Sequence, residues 1–234
     1  MNEALKRKIC CLTLTGDRHE TLNQARYYFK RSYLEQPVDW VVIDDGIKPY
    51  NPGDCVYFRR TPDGPLSLAR QFTFAFEHLS RLGYTDIVIC EDDDWYSNVR
   101  IQLQIEALNY VDLHGWNKSF YYNVKNRVYH QNKNRNHASL YESAMKMDIT
   151  KLLVKRIKAH RLGSFIDIEL WKIKCNSSLD EQNGHCVGIK GLPGRLGLGM
   201  GHKPGRQYLP DKELIKLKNL INKDVRYYEI FYEI

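Results

Sequence analysis

The sequence predicts an α/β fold built on a mostly parallel central sheet that is flanked by helices. Three features support this prediction: short continuous apolar runs, helical patterns between them, and acidic residues directly after two of the runs. Apolar runs that are buried on both faces are typical of parallel strands covered by helices. A chain of 234 residues, 43% of them hydrophobic, can form one sizeable core. We therefore expect a single domain over residues 1–234.

The first hundred residues alternate between strand and helix patterns. The predicted strands are residues 8–15, 39–44, 55–58 and 86–90, and the predicted helices are residues 18–34 and 66–82. In the second helix the apolar residues from Leu68 to Leu79 recur at the spacing of one helical face. Ligands bind beyond the carboxyl ends of the strands in sheets of this kind. We expect residues 1–100 to form the ligand-binding half.

The second half, residues 101–234, has a looser pattern and is expected to form a smaller subregion. We predict a helix over 97–113, strands over 119–123 and 127–130, a polar loop over 131–137, a helix over 148–160 with Asp148 as its N-cap, and a helix over 211–223. Residues 188–205 hold seven of the 15 glycines, which predicts a mobile loop. The aromatic tail, residues 225–234, is predicted to be a strand or a docking segment.

Composition limits the class of protein and the partner. The net charge of +7 and the pI of about 9.0 favour a polyanionic partner, such as nucleic acid, anionic lipid or a diphosphate. None of the six cysteines form a Cys-x-x-Cys pair, which indicates buried free thiols in a reducing compartment. No apolar run reaches bilayer length, and no secretory signal is visible. A cytoplasmic location is expected, and the pattern says nothing about oligomeric state.

Acidic residues follow two of the predicted strands. Residues 91–94 are Glu-Asp-Asp-Asp, and Asp44-Asp45 closes the strand over 39–44. Consecutive carboxylates repel one another unless a cation neutralises them, and their oxygens suit hard ions such as Mg²⁺ or Mn²⁺. A carboxylate of the second pair could accept hydrogen bonds from a ribose or a base. The alternatives are a solvated loop at 91–94 and a simple Asp-Gly turn at 45–46.

Four motifs, taken in their order along the chain, resemble those of the GT-A glycosyltransferase family, whose members use a nucleoside diphosphate sugar. They are Thr13-Leu14-Thr15 with Arg18, Asp44-Asp45-Gly46, the helix start at 66–70, and residues 88–94 (VICEDDD), which resemble the family's Asp-x-Asp motif. The resemblance covers roughly residues 8–100. It implies a UDP-sugar donor, with Asp94 as a ligand of Mn²⁺ or Mg²⁺. The assigned donor-binding residues are Thr13, Thr15, Arg18, Asp45, Arg70, Asp92 and Asp93.

Two later segments extend the resemblance. Residues 165–171 (FIDIELW) resemble the segment in which inverting members keep a catalytic carboxylate, so Asp167 or Glu169 would be the general base, with Asp167 preferred. The alternatives are acids that face water and a retaining reaction that needs no base. His202 would complete the metal shell, unless it is only a turn histidine. Lys203 and Arg206 would reach the donor phosphates when the glycine-rich segment closes.

The acceptor is predicted from the basic and aromatic residues between 118 and 137. The assigned acceptor-binding residues are Lys125, Arg127, Tyr129, Lys133 and Arg135. Cations neutralise phosphates and aromatic rings stack on bases, which favours a hydroxymethylated pyrimidine in DNA as acceptor. Such an enzyme would resemble virus-encoded DNA-modifying transferases and would act in the host cytoplasm. The alternative acceptors are a cell-surface glycan and a lipid-linked sugar.

Two rival classes of protein explain fewer features of the sequence. A nucleotidyltransferase would carry its glycine-rich loop after the first strand, whereas here the glycines cluster near the other end. A non-catalytic nucleic-acid-binding module accounts for the positive charge. It does not account for residues 91–94, which would repel phosphate.

Overall fold

A computed structural model describes residues 7–61, 68–161, 165–181, 184–194 and 202–229. Its strands, in chain order, are β1 (Ile9–Thr15), β2 (Val38–Asp44), β3 (Val56–Arg59), β4 (Asp86–Ile89), β5 (Trp95–Tyr96), β6 (Leu113–Trp116), β7 (Lys118–Asn123), β8 (Val128–Lys133), β9 (Ser143–Lys146), β10 (Ser177–Asp180), β11 (Cys186–Lys190) and β12 (Leu209–Pro210). Its helices are α1 (His19–Lys30), α2 (Leu68–Arg81), α3 (Arg100–Ala107), α4 (Met147–His160), α5 (Ile166–Trp171), α6 (Ile215–Ile221) and α7 (Val225–Glu229).

The main sheet has the strand order β10-β6-β9-β4-β1-β2-β3 within the described residues. Strand β1 pairs in parallel with both β2 and β4, and β2 pairs in parallel with β3. Strand β9 runs antiparallel between β4 and β6. The mostly parallel sheet predicted from the sequence is therefore correct, with one reversed strand inside it.

Helices cover both faces of this sheet, as the continuous apolar strands require. Alternate residues of β1 point to opposite faces, which is the period of an extended strand. Cys11 belongs to a core cluster that includes Leu22 of α1, whereas Leu12 belongs to a second cluster that includes Phe72 of α2 and Leu153 of α4. Burying an aromatic side chain such as Phe72 contributes about 2–3 kcal/mol. The two layers therefore fix the position of the sheet and of its carboxyl edge.

A second sheet has the order β12-β8-β7-β11-β5 and is built mainly from residues after 100, although β6, β9 and β10 of the main sheet also lie in that half of the chain. Strands β7 and β8 form a hairpin, and β11 pairs in parallel with β7 and antiparallel with β5. Strand β5 begins directly after the acidic residues 91–94. The second sheet is therefore attached to the first through the acidic cluster itself.

Several predicted boundaries in the middle of the chain are wrong. The predicted loop over 131–137 begins too early, because β8 continues to Lys133 through pairing with β7. The helix predicted over 97–113 ends at Ala107, and Leu113 starts a strand of the main sheet. Asp148 is not an N-cap: β9 runs straight into α4, so Lys146 takes that position.

The glycine-rich segment and the carboxyl-terminal part also differ from the predictions. Residues 188–190 belong to the fully buried strand β11 rather than to a loop. The helix predicted over 211–223 starts at Ile215, and the segment predicted as a strand or docking segment begins with a helix, α7, whose Tyr228 is buried. The parts of these predictions at 195–201 and 230–234 lie outside the described residues, as do residues 66 and 67 of the predicted second helix.

All six cysteines are free, and four of them are buried, in line with the predicted structural thiols. None of the helices in the described ranges is long and apolar enough to cross a bilayer.

A buried carboxyl group ties the second sheet to the main one. Glu142 lies in a short 3-10 turn (Leu140–Glu142) before β9, is fully buried, and accepts a hydrogen bond from Ser119 of β7. Ser119 also contacts Ser139, whose hydroxyl lies 2.7 Å from the hydroxyl of Tyr121. Burial raises the pKa of Glu142 to about 8. The carboxyl group is therefore protonated at neutral pH.

This protonation predicts that stability falls between pH 4.5, the ordinary pKa of a glutamate, and about 8. In that window the unfolded chain has released the Glu142 proton and the folded chain still holds it, so unfolding becomes easier as the pH rises. Glu142→Gln should remove this loss, which is on the order of 4 kcal/mol at about 1.4 kcal/mol for each pKa unit. Urea unfolding at pH 5 and pH 8 measures it. The exposed Glu229→Gln is the control, and an equal pH dependence in all three proteins would contradict the assignment.

Candidate active site

Four acidic residues meet at the carboxyl edge of the main sheet, where β1, β2 and β4 end. The strand register places Thr15 of β1 opposite Asp44 of β2, and residues 91–94 leave the end of β4. The exposed fractions of Asp92, Asp93 and Asp94 are 3%, 5% and 1%. A solvated surface loop, the alternative for this segment, is therefore excluded.

Arg18 and Thr15 bind the first part of this cluster. The Thr15 hydroxyl donates to Asp92 Oδ2 at 2.6 Å, and Arg18 Nη1 lies 2.7 Å from Asp92 Oδ1 and 3.2 Å from Asp93 Oδ2. Arg18 comes directly before α1 and so reaches the cluster from the end of the β1–α1 connection. The structure thus brings together Thr15, Arg18, Asp92 and Asp93, all assigned from the sequence.

Lys190, which sequence reasoning missed, fills the other side of the cluster. Its Nζ lies 2.9 Å from Asp94 Oδ1, 3.5 Å from Asp93 Oδ1 and 3.7 Å from Glu91 Oε2. The side chain is buried; burial alone would lower its pKa, but the three carboxylates outweigh burial and raise the pKa well above the usual value. The ammonium is therefore charged. A lysine ending the apolar run CVGIK was the available signal.

Three carboxylates form a group that could hold a metal ion. Oxygens of Glu91, Asp93 and Asp94 lie within 4.8 Å of one another. Asp94 Oδ1 accepts the backbone N–H of Ile189 at 2.9 Å as well as Lys190, while the buried Oδ2 has no hydrogen-bond partner among the described residues. Oxygen-only ligands at this spacing suit a hard divalent cation. The set includes Glu91, which was not assigned from the sequence.

His202 lies beside this group rather than in it. Its Nε2 is 3.8 Å from Asp93 Oδ2. Burial, with the nearby Lys190, lowers the pKa of His202 to about 4, so the imidazole is neutral at physiological pH. Nδ1 is buried and, among the described residues, has no hydrogen-bond partner. The ring is close enough to the acidic cluster to remain a candidate ligand.

Asp44 and Asp45 have different roles. The Asp44 carboxylate accepts hydrogen bonds from Gly46 N, Tyr50 N and the Tyr57 hydroxyl at 2.8, 3.0 and 2.7 Å, so it organises its own loop. Asp45 is buried next to the cluster: its N–H donates to Thr15 O at 3.1 Å.

Arg60 contacts Asp45 at this part of the edge. Arg60 Nη1 lies 3.6 Å from Asp45 Oδ2, and Arg60 is a further residue that the sequence did not reveal. Arg70, assigned to the donor, is exposed on α2.

Thr13 is not at the site, and its assignment is wrong. It lies two residues before the end of β1, is fully buried, and its hydroxyl accepts a hydrogen bond from Trp40 Nε1 at 2.9 Å. Only the last residue of the strand on that face, Thr15, reaches the edge.

The described part of the glycine-rich segment packs against the amino-terminal side of the site. Gly194 has a φ of 99°, and a Cβ added there would lie 2.9 Å from Asp17 O and 3.3 Å from Arg18 Cγ. Both the backbone conformation and the close approach favour glycine. Lys203 and Arg206 are exposed beyond the gap at 195–201.

The two candidate bases on α5 have different surroundings. Glu169 is bound by Arg156 and Lys172, each at 2.6 Å, so its carboxylate is held in ion pairs. Asp167 is half-buried near His137, and burial raises its pKa. Asp167 is therefore the only one of the two whose carboxylate becomes a stronger base in its surroundings.

The assigned acceptor residues do not form one patch. Lys125 and Arg127 lie at the turn of the β7–β8 hairpin, and Arg127 Nη1 donates to Lys212 O at 3.2 Å. Lys133, at the far end of β8, pairs with Glu181 at 3.3 Å, and Arg135 is exposed beyond it. A strand rises about 3.3 Å per residue, so the two ends are on the order of 20 Å apart.

The tyrosines of this hairpin face the protein rather than solvent. Tyr122 is fully buried, and the Tyr121 hydroxyl lies 2.7 Å from Ser139 Oγ. Tyr129 is half-buried under the Lys216 ammonium, which lies 5.6 Å from its ring centroid. These rings therefore do not form the exposed stacking surface that was expected.

No protein-family model and no curated protein sequence matches this chain. Among solved structures it is similar to S. aureus TarS. Residues 1–349 of TarS with UDP-GlcNAc share 9% identity over 84% of this chain and 62% of that chain, with a TM-score of 0.54. The same fragment with UDP gives 8% identity, coverage of 78% and 60%, and a TM-score of 0.54. This chain thus spans less than two thirds of those chains, and at this identity the likeness shows the fold alone: a GT-A type α/β fold.

Proposed function

We propose that this protein is a metal-dependent glycosyltransferase that takes its sugar from a UDP-sugar. The observation that carries the proposal is the buried cluster of residues 91–94 with Arg18, at the sheet edge where such folds bind ligands. Support for a uridine donor comes from TarS, whose structures with this fold contain UDP-GlcNAc and UDP. Residues 1–100 would supply most of the donor site, with His202, Lys203 and Arg206 added from the second half, and residues 101–234 would also bind the acceptor, within one domain.

In this proposal the chain's own residues position the donor. Glu91, Asp93 and Asp94, with His202 beside them, would hold Mn²⁺ or Mg²⁺. When bound, such a cation acts as a Lewis acid toward the negative charge that grows on the leaving diphosphate. Asp45 and Asp92 would accept hydrogen bonds from the nucleoside, as Thr15 and Arg18 hold Asp92 in one orientation.

Further cations and a base complete the proposed reaction. Arg70, Lys203 and Arg206 would contact the donor, the last two stabilising the diphosphate from the carboxyl-terminal part of the chain. Asp167 would remove the acceptor hydroxyl proton as that oxygen attacks the anomeric carbon from the face opposite the diphosphate, which inverts the configuration. Burial of Asp167 supports this role because it strengthens the base.

Donor hydrolysis tests the central proposal. The protein should slowly release UDP from a UDP-sugar when Mn²⁺ is present, and chelation should stop the release. Asp94→Asn should weaken Mn²⁺-dependent donor binding by at least about 100-fold, since a metal contributes several kcal/mol. Asp148→Asn, an exposed change on α4, is the control. A thermal-shift series of nucleotide sugars with and without Mn²⁺ identifies the donor, and no response to any of them would refute the proposal.

A matched pair of variants tests the base. Asp167→Asn should leave donor affinity unchanged and lower the transfer rate by about 10²–10⁴-fold, the usual contribution of a general base. Glu169→Gln should retain the rate, because its carboxylate is already committed to Arg156 and Lys172. Near-normal turnover of Asp167→Asn would remove Asp167 from the reaction.

The acceptor is proposed to be a hydroxymethylated pyrimidine in DNA. Support comes from the net charge of +7 and from the exposed cations Lys125 and Arg135 at the two ends of the β7–β8 hairpin. Their separation fits an extended backbone rather than one phosphate. A glycan or lipid-linked hydroxyl is the alternative outcome of the test.

Charge removal distinguishes these acceptors. Lys125→Gln with Arg135→Gln should weaken binding to hydroxymethylated duplex DNA and lower the slope of its salt dependence by about two, roughly one for each phosphate that is no longer neutralised. Fluorescence anisotropy at several salt concentrations measures both quantities. Lys155→Gln on α4 with Arg161→Gln, at the residue that follows α4, removes the same charge elsewhere. Equal effects of the two double variants, or no binding by the wild type, would exclude the DNA acceptor.

A further inference from the structure

Lys190 occupies the space that a metal ion would need. Its Nζ lies 2.9–3.7 Å from one oxygen each of Asp94, Asp93 and Glu91, the three residues of the metal-binding group. A divalent cation bound to those carboxylates would lie about 2.0–2.6 Å from their oxygens. One oxygen from each of the three carboxylates lies within 4.8 Å of the others, so the group encloses a small volume, and the Lys190 ammonium contacts all three residues.

We propose that Lys190 is a built-in counter-cation, which a divalent metal ion displaces from the acidic group when it binds. In the metal-free protein the ammonium neutralises the buried carboxylates and keeps the site assembled. The inference rests on the metal site of the proposed function, and it does not depend on which donor or acceptor the protein uses.

Electrostatic repulsion between the two cations favours the exchange. An ammonium and a divalent ion in the same small volume would be closer than about 4 Å, where like charges in a buried site repel strongly. Arg18 does not face this conflict to the same degree. It contacts Asp93 through Oδ2, whereas Lys190 contacts Oδ1, so the two cations approach that carboxylate through different oxygens.

The Asp94 carboxylate is arranged for the exchange. Its Oδ1 keeps the backbone N–H of Ile189, at 2.9 Å, after Lys190 has left. Its buried Oδ2 has no hydrogen-bond partner among the described residues, so both oxygens of the carboxylate can be offered to the ion once Lys190 has left.

Lys190 also has a route out. Its side chain is a flexible four-carbon stem on the last residue of β11, and Gly191 follows it with a φ of 82°. The Glu91 side chain is 32% exposed, so the group opens to solvent on that side. A displaced ammonium would emerge next to the ion, where a donor diphosphate would lie. Metal binding would thus add a second positive charge at the phosphates.

Amine labelling of the wild-type protein tests the displacement. Reductive methylation followed by mass spectrometry reports the labelling rate of Lys190, with the exposed Lys155 as internal standard. We expect Lys190 to be protected without metal and its rate to rise at least about tenfold once Mn²⁺ saturates the site, because a buried group reacts only when it is released. Binding of Mn²⁺ is followed separately by the electron paramagnetic resonance of the free ion.

A variant gives the second measurement. Lys190→Met keeps the stem and removes the charge, so it should bind Mn²⁺ at least about tenfold more tightly than the wild type. Lys155→Met is the matched control and should bind as the wild type does. If Mn²⁺ binds the wild type while Lys190 stays protected, the proposal is overturned.

Failure of this inference can be told apart from failure of the proposed function. If neither the wild type nor Lys190→Met binds Mn²⁺, the metal site itself is overturned and the exchange with it. UDP release that persists with chelator would then show a glycosyltransferase that works without metal. Mn²⁺-dependent UDP release with Lys190 still protected would retain the function and reject the exchange alone.

Discussion

The structure depends on one electrostatic constraint: four carboxylates are packed side by side at the edge of a buried sheet. Residues 91–94 would repel one another in the protein interior unless cations balanced them. Arg18 and Lys190 supply part of that balance from opposite sides of the cluster, one from the start of α1 and one from the end of β11. The four carboxylates still exceed these two cations by two charges, so the cluster attracts a divalent ion that can take the place of Lys190.

The fold explains why these groups converge. Strand β1 pairs in parallel with β2 and β4, so the carboxyl ends of these three strands lie at one edge of the sheet. Thr15, Asp45 and the acids after β4 therefore come together although they lie far apart in the sequence. The second sheet then joins through β5 and β11, which places Lys190 opposite Asp94. A protonated Glu142 connects that sheet to the main one. Assembly of the cluster is thus coupled to the docking of the two sheets.

Sequence patterns predicted the parts of this arrangement that local chemistry determines. Continuous apolar strands identified the parallel sheet, and acids after a buried strand identified its edge, where Thr15 and Arg18 contact Asp92. The predictions from sequence patterns were wrong where pairing between distant strands determines the structure. Lys190 was predicted to lie in the glycine-rich loop. Its strand, β11, forms through pairing with β7 and β5, which are distant in the sequence. Thr13 and Thr15 lie on the same face of β1. Thr13 is farther from the edge of the sheet and is covered by Trp40, so only Thr15 reaches the site.

The most direct test is a crystal grown with Mn²⁺ and UDP, with anomalous scattering used to locate the manganese. We expect a manganese peak about 2.0–2.6 Å from carboxylate oxygens of Asp93 and Asp94, in contact with the diphosphate, with Lys190 moved away from Asp94. UDP bound elsewhere, or bound at this edge with Lys190 still between the carboxylates and no manganese there, would contradict it.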